Sequence, residues 1–188
     1  MRSIRLGAFV LFSAVAAVPA IGSAQMQASG QSRAAYKRPS DAELKKKLTP
    51  IQFAVTRKNS TETPYKNQYW NNHEAGIYVD LISGAPLFSS LDKYESHTGW
   101  PSFTRPLDGA GIRTLTDNSF GGSRTEVRSV MSDSHLGHLF DDGPAPSGNR
   151  YCMNSAALRF VPVARLAAEG YGRYLPLFKS AAGPGVKH

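Results

Sequence analysis

Between Gly76 and Val161 the chain reads as a series of short β-strands, and this pattern most limits the folds that it can adopt. Six stretches have the composition of strands, and groups of Gly, Pro, Asn, Asp and Ser separate them. They run from Gly76 to Ile82, Ala85 to Phe88, Gly111 to Thr116, Arg124 to Met131, His135 to Phe140 and Tyr151 to Val161. The sequence therefore predicts a mainly β domain of mostly antiparallel strands.

Short helices are predicted on either side of these strands. Ser40 to Glu43 and Thr49 to Gln52 each form a capping box, in which a hydroxyl oxygen accepts the backbone N–H three residues later. They start two helices, the second of which runs to about Arg57. A third short helix is expected near Val163 to Glu169, and the aromatic segment Gly170 to Phe178 is expected to pack back on the domain.

The first residues have the pattern of a secretory signal peptide. An apolar run from Leu6 to Val18 follows two arginines, and Gly22 and Ala24 are small residues at the spacing that signal peptidase prefers. The alternative is a membrane anchor, but the apolar part falls short of the roughly 20 residues that a span needs. We therefore expect cleavage after Ala24 and export, with the bacterial periplasm as the location.

These boundaries divide the chain into a signal peptide (1–24), a flexible leader (25–39), one folded domain (40–179) and a flexible tail (180–188). The formal charge is +8, and removal of Arg2 and Arg5 leaves 20 basic against 14 acidic residues, or +6. The basic residues are scattered apart from Lys45 to Lys47, and no aromatic-basic module is present, which argues against nucleic-acid binding. We expect a monomer with no stable membrane span.

The sequence contains one cysteine, Cys152. It can form neither an internal disulfide nor a multi-cysteine metal site. A lone thiol is either a buried filler or the reactive atom, since free cysteines are among the most buried residues. In an exported protein, where disulfides form readily, an unpaired cysteine indicates a reactive thiol or an intermolecular partner.

The residues beside Cys152 favour the reactive alternative. In a strand, alternation places Arg150, Cys152 and Asn154 on the same face. A nearby guanidinium or imidazolium favours the thiolate, which is the nucleophilic form of the thiol. The strand thus presents a cation, a thiol and an amide side by side.

Two histidines, His135 and His138, precede this strand. They lie on opposite faces of an ideal strand, so they can converge only if Gly137 allows a bulge or a turn. Two histidines with adjacent aspartates could hold a metal, but no third and fourth ligand appears at a readable spacing.

The turn Gly99-Trp100-Pro101-Ser102-Phe103 presents an indole and a phenyl ring close together, which builds either an apolar wall or part of the core. A cysteine with histidine and asparagine is equally the residue set of a papain-like hydrolase. Reasoning from these residues therefore ends at a thiol nucleophile with basic and amide neighbours.

With these residues in place, the chain resembles the methionine sulfoxide reductase B family, which acts on the R epimer of the sulfoxide. The matching blocks are Leu48-Thr49-Pro50, Gly76-Ile77-Tyr78-Val79, Gly84-Ala85-Pro86-Leu87-Phe88, Gly99-Trp100-Pro101-Ser102-Phe103, Thr125-Glu126-Val127-Arg128-Ser129, His135-Leu136-Gly137-His138, Arg150-Tyr151-Cys152-Met153-Asn154-Ser155 and Tyr174-Leu175-Pro176-Leu177-Phe178. The resemblance implies two antiparallel sheets with short N-terminal helices, and a short helix is expected near the C-terminus.

The resemblance also implies roles for the site residues. Cys152 would attack the sulfoxide sulfur, take its oxygen as a sulfenic acid and release methionine. Trp100 and Phe140 would form the apolar wall that holds the substrate methyl group. The polar positions would be His135, His138, Asn154, Arg150 and Asp142. The first three would bind or protonate the departing oxygen, directly or through water, and Arg150 is expected to favour the thiolate.

Two departures from the family pattern change the expected chemistry. Many members hold a structural zinc ion with four cysteines, and those positions are Asp80, Ser83, Ser129 and Ser132 in this chain. Serine hydroxyls are poor zinc ligands, so we expect no metal and no other cofactor. Many members also carry a resolving cysteine where this chain has Thr98.

A sulfenic acid at Cys152 would therefore have to be reduced from outside, by a thioredoxin-like dithiol protein or a small thiol. The expected substrates are oxidised proteins or free methionine sulfoxide. Two alternatives remain open: a cysteine hydrolase that needs no reductant, and a non-enzymatic module that binds methionine-like side chains at Trp100.

Overall fold

A computed structural model describes residues 36–107, 111–119 and 121–181 of the chain, without the side chains of 180 and 181. The expected signal peptide, most of the expected leader and the tail beyond residue 181 lie outside the described residues. Within those three ranges, no helix is both long enough and apolar enough to cross a lipid bilayer.

Two short helices open the described chain, α1 (Asp41–Lys47) and α2 (Pro50–Lys58). Both begin at the predicted capping boxes. Ser40 accepts the Glu43 backbone N–H at 3.3 Å, and the Glu43 carboxylate accepts the Ser40 backbone N–H at 2.8 Å. The reciprocal bonds satisfy N–H groups that have no partner within the helix.

Nine short strands follow within the described ranges. They are β1 (Gly76–Asp80), β2 (Pro86–Ser89), β3 (Lys93–Tyr94), β4 (Ser102–Phe103), β5 (Ile112–Asp117), β6 (Arg124–Ser129), β7 (His135–Phe140), β8 (Arg150–Met153) and β9 (Leu158–Pro162). They form a three-stranded sheet in the order β2-β1-β9 and a six-stranded sheet in the order β3-β4-β8-β7-β6-β5. Every strand pair is antiparallel, which confirms the predicted fold class.

The single long strand predicted from Tyr151 to Val161 is wrong. Strand β8 ends at Met153, a 3₁₀ turn occupies Ser155–Ala157, and β9 continues in the other sheet. The last bond to β7 is made by the Asn154 N–H, which donates to the Leu136 carbonyl at 2.8 Å. The ladder stops there because the next N–H group, that of Ser155, donates to the Glu62 carboxylate. The predictions also missed β3 and β4, which have two residues each.

The helix predicted over Val163 to Glu169 is wrong as well. Only Val163–Arg165 is helical, as a 3₁₀ turn, and the preceding Pro162 has no side-chain group to cap it. The C-terminal helix is instead α3 (Leu175–Ala181). As expected, the aromatic rings of this segment pack on the domain, with Tyr174 buried against the outer face of the three-stranded sheet.

Strand β1 lies at the centre of the packing and is buried along its whole length. Tyr78 points into the core between the sheets, where its ring meets the Phe103 ring edge-on at 5.0 Å. Ile77 and Val79 point the other way, toward the C-terminal segment. The six-stranded sheet contributes Phe103, Val127 and Met153 to the core. Because side chains alternate along a strand, the other face of that sheet carries Cys152.

Candidate active site

Cys152 lies in the middle of a row of side chains that crosses the six-stranded sheet. Its cross-strand neighbours are Ser102 on β4 and His138 on β7, and Glu126 on β6 pairs with His138 in turn. Directly paired residues share a face of an antiparallel sheet, so these four side chains point the same way. Arg150, two residues before Cys152, shares this face, as alternation predicts.

A β-bulge brings the two histidines together. The register of β6 and β7 shifts between Val127 and Arg128, which leaves Leu136 without a partner and pairs His135 with Arg128. The extra residue turns the His135 side chain to the face of His138. Their ring centroids are 5.3 Å apart. The sequence indicated that the two histidines could converge only if Gly137 allowed a bulge or a turn. The structure contains a bulge next to Gly137, and the two rings lie on one face.

Gly137 permits the close approach of β7 to β8. Its φ is +156°, and a Cβ atom at this position would lie 2.1 Å from the backbone oxygen of Cys152. Any side chain here would force the two strands apart. The small residue therefore sets the distance between the histidine strand and the cysteine strand.

Each histidine is bonded to a carboxylate. His135 Nδ1 lies 2.6 Å from Glu126, and His138 Nε2 lies 2.8 Å from Asp117. Each carboxylate also contacts an arginine, Glu126 with Arg128 and Asp117 with Arg124, both at 2.7 Å. Analysis of the sequence missed both carboxylates, because neither shows its histidine partner until the strand register is known.

The two histidines differ in their surroundings. His135 is 1% exposed, and burial lowers its pKa, so its ring is neutral at neutral pH. Its Nε2 atom is buried and has no hydrogen-bond partner in the described part of the chain. Hydrogen bonds from Ser119 and from His138 hold the pKa of Asp117 well below its usual range. His138 therefore faces a fixed negative charge.

A chain of hydroxyl groups extends from the thiol. Cys152 Sγ lies 3.9 Å from Thr98 Oγ1, which is 2.8 Å from Ser96 Oγ. Ser96 Oγ is in turn 2.7 Å from Ser102 Oγ. A hydroxyl both donates and accepts, so this chain can support either the thiol or the thiolate.

Burial raises the pKa of the Cys152 thiol. The Arg150 guanidinium and the hydroxyls of Thr98 and Ser102 act in the opposite direction, but they do not outweigh burial. Arg150 thus acts in the expected direction, toward the thiolate, but burial has the larger effect and favours the protonated thiol at neutral pH.

Arg150 is held by Asp142, the acidic residue among the predicted site residues. Its Nε and Nη2 atoms donate to the two Asp142 oxygens at 2.7 and 2.8 Å, and its guanidinium lies over the Phe140 ring at 4.2 Å. The hydrogen bonds from Arg150 lower the pKa of Asp142. Asp142 therefore orients Arg150 and stays ionised.

The thiol opens into a cavity of about 150 Å³. Its lining consists of Thr61, Trp100, Arg124, Gly137, His138, Phe140, Cys152, Met153 and Asn154. Five of the eight predicted site residues are among them, whereas His135, Arg150 and Asp142 are not. Thr61 and Arg124 were not predicted, since neither belongs to a motif with readable chemistry. The cavity combines aromatic walls with an imidazole, which suits a ligand that is partly apolar and partly polar.

The Asn154 amide is largely committed to the protein. Its Oδ1 accepts the Glu62 backbone N–H at 3.1 Å, and its Nδ2 donates to the Leu136 carbonyl at 3.2 Å. Only one N–H of this amide remains to donate to a ligand. The geometry supports a structural role for Asn154 more directly than the expected role in binding the departing oxygen.

The four positions to which the resemblance assigns a structural zinc form a polar cluster, in which Asp80, Ser129 and Ser132 are buried. The Asp80 carboxylate accepts the Ile82 N–H at 2.7 Å and the Ser132 hydroxyl, and Ser129 Oγ accepts the Ser132 N–H at 3.4 Å. One carboxylate and three hydroxyls that are already hydrogen-bonded do not fit a zinc ion. Nowhere in the three described ranges do three or more His, Cys, Asp or Glu side chains form a group that could hold a metal.

Comparison with known proteins agrees with the site. Residues 48–162 match the SelR domain. The chain is also similar to a peptide methionine sulfoxide reductase MsrA/MsrB of Vibrio cholerae serotype O1, with 62% identity over 145 residues. That alignment covers 77% of this chain and 38% of the other protein, so the chain spans well under half the length of the curated relative.

Proposed function

Because the chain belongs to the SelR-domain family, the methionine sulfoxide reductases B, we propose that it reduces methionine (R)-sulfoxide to methionine at Cys152. The substrate is the side chain of an oxidised protein or the free amino acid. The observation that carries the proposal is a single half-buried thiol that opens into a cavity lined by the rings of Trp100 and Phe140 and the imidazole of His138.

The cavity has separate surfaces for the apolar and the polar parts of a methyl sulfoxide. The aromatic walls receive the methyl group and the methylene next to sulfur, while the polar groups receive the oxygen. Trp100 is held in place because its indole N–H donates to the Glu62 carbonyl at 3.1 Å. A wall with a fixed orientation can distinguish the two epimers, since only one of them directs its oxygen toward His138 while its methyl group faces the rings.

The reaction transfers one oxygen atom and two electrons. The Cys152 sulfur attacks the sulfoxide, the S–O bond of the substrate breaks, and the products are methionine and a cysteine sulfenic acid. The oxygen must be protonated as that bond breaks, because negative charge develops on it. The resting thiol supplies one proton, and the cross-strand pairing of His138 with Cys152 supports a role for His138 in passing it to the oxygen.

Regeneration requires an external thiol. The thiol attacks the sulfenic sulfur, water leaves, and a mixed disulfide forms that a second thiol reduces. The sequence offers no second cysteine, and Thr98 lies where a resolving cysteine would be. A thioredoxin-like dithiol protein or a small thiol therefore completes the cycle.

The alternative of a papain-like hydrolase has less support. Its cysteine forms an ion pair with histidine, which lowers the thiol pKa, whereas burial raises the pKa of Cys152. The alternative of a binding module makes no use of the paired histidines and carboxylates beside the thiol.

An epimer-resolved assay tests the proposal. With dithiothreitol as reductant, the wild-type protein should reduce a peptide containing methionine (R)-sulfoxide and leave the S epimer unchanged. Cys152→Ser should lose the activity while its circular dichroism spectrum stays the same. Reduction that persists in Cys152→Ser, or equal reduction of both epimers, would contradict the proposal.

A further inference from the structure

Glu62 is a buried carboxylate outside the motifs that the sequence showed, in the segment between α2 and β1. It is 8% exposed, and burial raises its pKa. We propose that Glu62 is a positioning residue that holds the Trp100 wall at a fixed distance from the end of the Cys152 strand. The inference rests on the proposed function only for its effect on catalysis, because the placement itself is measurable in the free protein.

The carboxylate of Glu62 fixes the turn that ends β8. It accepts the backbone N–H of Ser155 and, at 3.0 Å, that of Ala156. The residue before the turn, Asn154, makes no capping bond with its own side chain. Glu62 therefore supplies the cap from a distant part of the chain, and these bonds offset part of the cost of burying its charge.

The backbone of Glu62 contacts two residues that line the cavity. Its N–H donates to Asn154 Oδ1, and its carbonyl accepts the indole N–H of Trp100, both at 3.1 Å. Glu62 is thus hydrogen-bonded to the turn after β8, to the Asn154 amide and to the Trp100 indole. A shift of the carboxylate moves the peptide groups that hold Asn154 and Trp100.

A second bridge keeps this segment in place when Glu62 is changed. Asn67 Nδ2 donates to the Gly99 carbonyl at 2.7 Å, and its Oδ1 accepts the Ser155 hydroxyl at 2.7 Å. The Tyr65 N–H also donates to the Gly99 carbonyl at 2.9 Å. The loss of the Glu62 carboxylate should therefore leave the fold intact and change the position of the indole.

The test follows Trp100 directly. Trp70 is the only other tryptophan in the sequence, so Trp70→Phe makes Trp100 the sole indole reporter. In that background, Glu62→Gln keeps the size of the side chain but places an amide NH₂ against the N–H groups of the turn. The emission of Trp100 should shift and acrylamide should quench it faster. Glu74→Gln, at an exposed position, is the matched control and should change neither.

Kinetics separate positioning from general stability. For Glu62→Gln we expect kcat/KM for the (R)-sulfoxide to fall about tenfold or more, because small misplacements of a substrate wall are costly. The pH profile of Cys152 alkylation by iodoacetamide should stay unchanged, since a small reagent does not use the wall. Glu62→Asp, which keeps the charge but is shorter, should recover part of kcat/KM.

The outcomes are distinguishable. Unchanged Trp100 emission and quenching in Glu62→Gln, or a change in melting temperature with unchanged kcat/KM, would overturn the positioning role. If the wild-type protein reduced no sulfoxide, the proposed function would fail, and the fluorescence result would still decide where the indole sits. Should Glu62→Gln not fold, Glu62→Asp is measured by the same two criteria.

Discussion

At the scale of single residues, the state of Cys152 results from two opposing effects. Burial favours the neutral thiol, while the Arg150 guanidinium and two hydroxyls favour the thiolate. The resting thiol is thereby protected from indiscriminate reaction with solvent oxidants, because the thiolate is the reactive form. In the proposed reaction, the sulfoxide would meet a sulfur that still carries its proton.

This balance predicts the pH dependence of Cys152 alkylation. Burial raises the pKa of Cys152, so its rate of alkylation by iodoacetamide should increase with pH around a midpoint above that of an ordinary thiol. An ordinary cysteine thiol has a pKa of about 8.5. Arg150→Met removes the favourable charge, so its midpoint should lie higher still and its alkylation rate at pH 7 should be lower than that of the wild-type protein. Arg165→Met, at an exposed arginine, serves as the control. A midpoint below 8 in the wild-type protein would contradict this account.

Thr98 provides a second test at this scale. Its Oγ1 is 3.9 Å from Cys152 Sγ, so Thr98→Cys should form a disulfide after a small movement and one equivalent of peroxide. Mass spectrometry of the wild-type protein should instead show a sulfenic acid or a mixed disulfide. Thr116→Cys, on an exposed position of β5, is the control and should form no intrachain bond. A reduced pair of thiols in oxidised Thr98→Cys would show that the two positions do not meet.

At the scale of elements, the bulge in β7 and Gly137 arrange the site. The bulge brings His135 and His138 to one face, and Gly137 lets β7 approach β8 closely. Each device depends on a backbone feature instead of a reactive group. The chemistry therefore relies on how two strands pair.

A substitution at Gly137 should show this dependence. Gly137→Ala places a Cβ atom 2.1 Å from the Cys152 oxygen, so the strands must separate. We expect a loss of about 3 kcal/mol or more in the free energy of unfolding and loss of reductase activity. The control is Gly122→Ala, where an added Cβ meets no atom within 4 Å. Urea denaturation measures both, and equal stability of the two variants would contradict the argument.

Local signals predicted the elements that depend on local rules. The capping boxes at Ser40 and Thr49 start helices where expected, and β7 spans the predicted His135–Phe140. The prediction failed where distant residues decide the structure. The strand from Tyr151 is interrupted because Glu62, more than 90 residues away, binds the N–H groups of the turn.

The same division holds for the site. Cys152, Trp100, Phe140 and His138 could be predicted because residue type and motif carry their chemistry. Glu126 and Asp117 could not, since a carboxylate in a strand is unremarkable until the register places it opposite a histidine. Strand alternation alone could not distinguish a reductase from a hydrolase. The reductase reaction was predicted from the family resemblance.

At the scale of the whole molecule, the Asp80 cluster joins the two sheets. Asp80 ends β1 in the three-stranded sheet, and Ser132 lies in the turn between β6 and β7 of the six-stranded sheet. The carboxylate is fully buried and accepts hydrogen bonds from Ile82, Ser83 and Ser132. We propose that this cluster does the structural work that zinc does in other members of the family.

Two measurements test that proposal. Asp80→Ala removes the acceptor of two part-buried backbone N–H groups and of the buried Ser132 hydroxyl, so the free energy of unfolding should fall by about 3 kcal/mol. Asp41→Ala, which removes an exposed ion pair with Arg57, should change the melting temperature little. The dialysed wild-type protein should contain no stoichiometric zinc, and EDTA should not lower its melting temperature. Bound zinc that survives dialysis would contradict the proposal.

In the proposed cycle, the threonine beside Cys152 also limits how long the protein stays active. A second thiol at that position would protect each sulfenic acid in a reversible form. With Thr98 there, a sulfenic acid that meets another oxidant before it meets a thiol advances to sulfinic acid, which ordinary thiols do not reverse. If the proposed cycle holds, the ratio of thiol to oxidant in the surroundings sets the number of turnovers that one molecule completes.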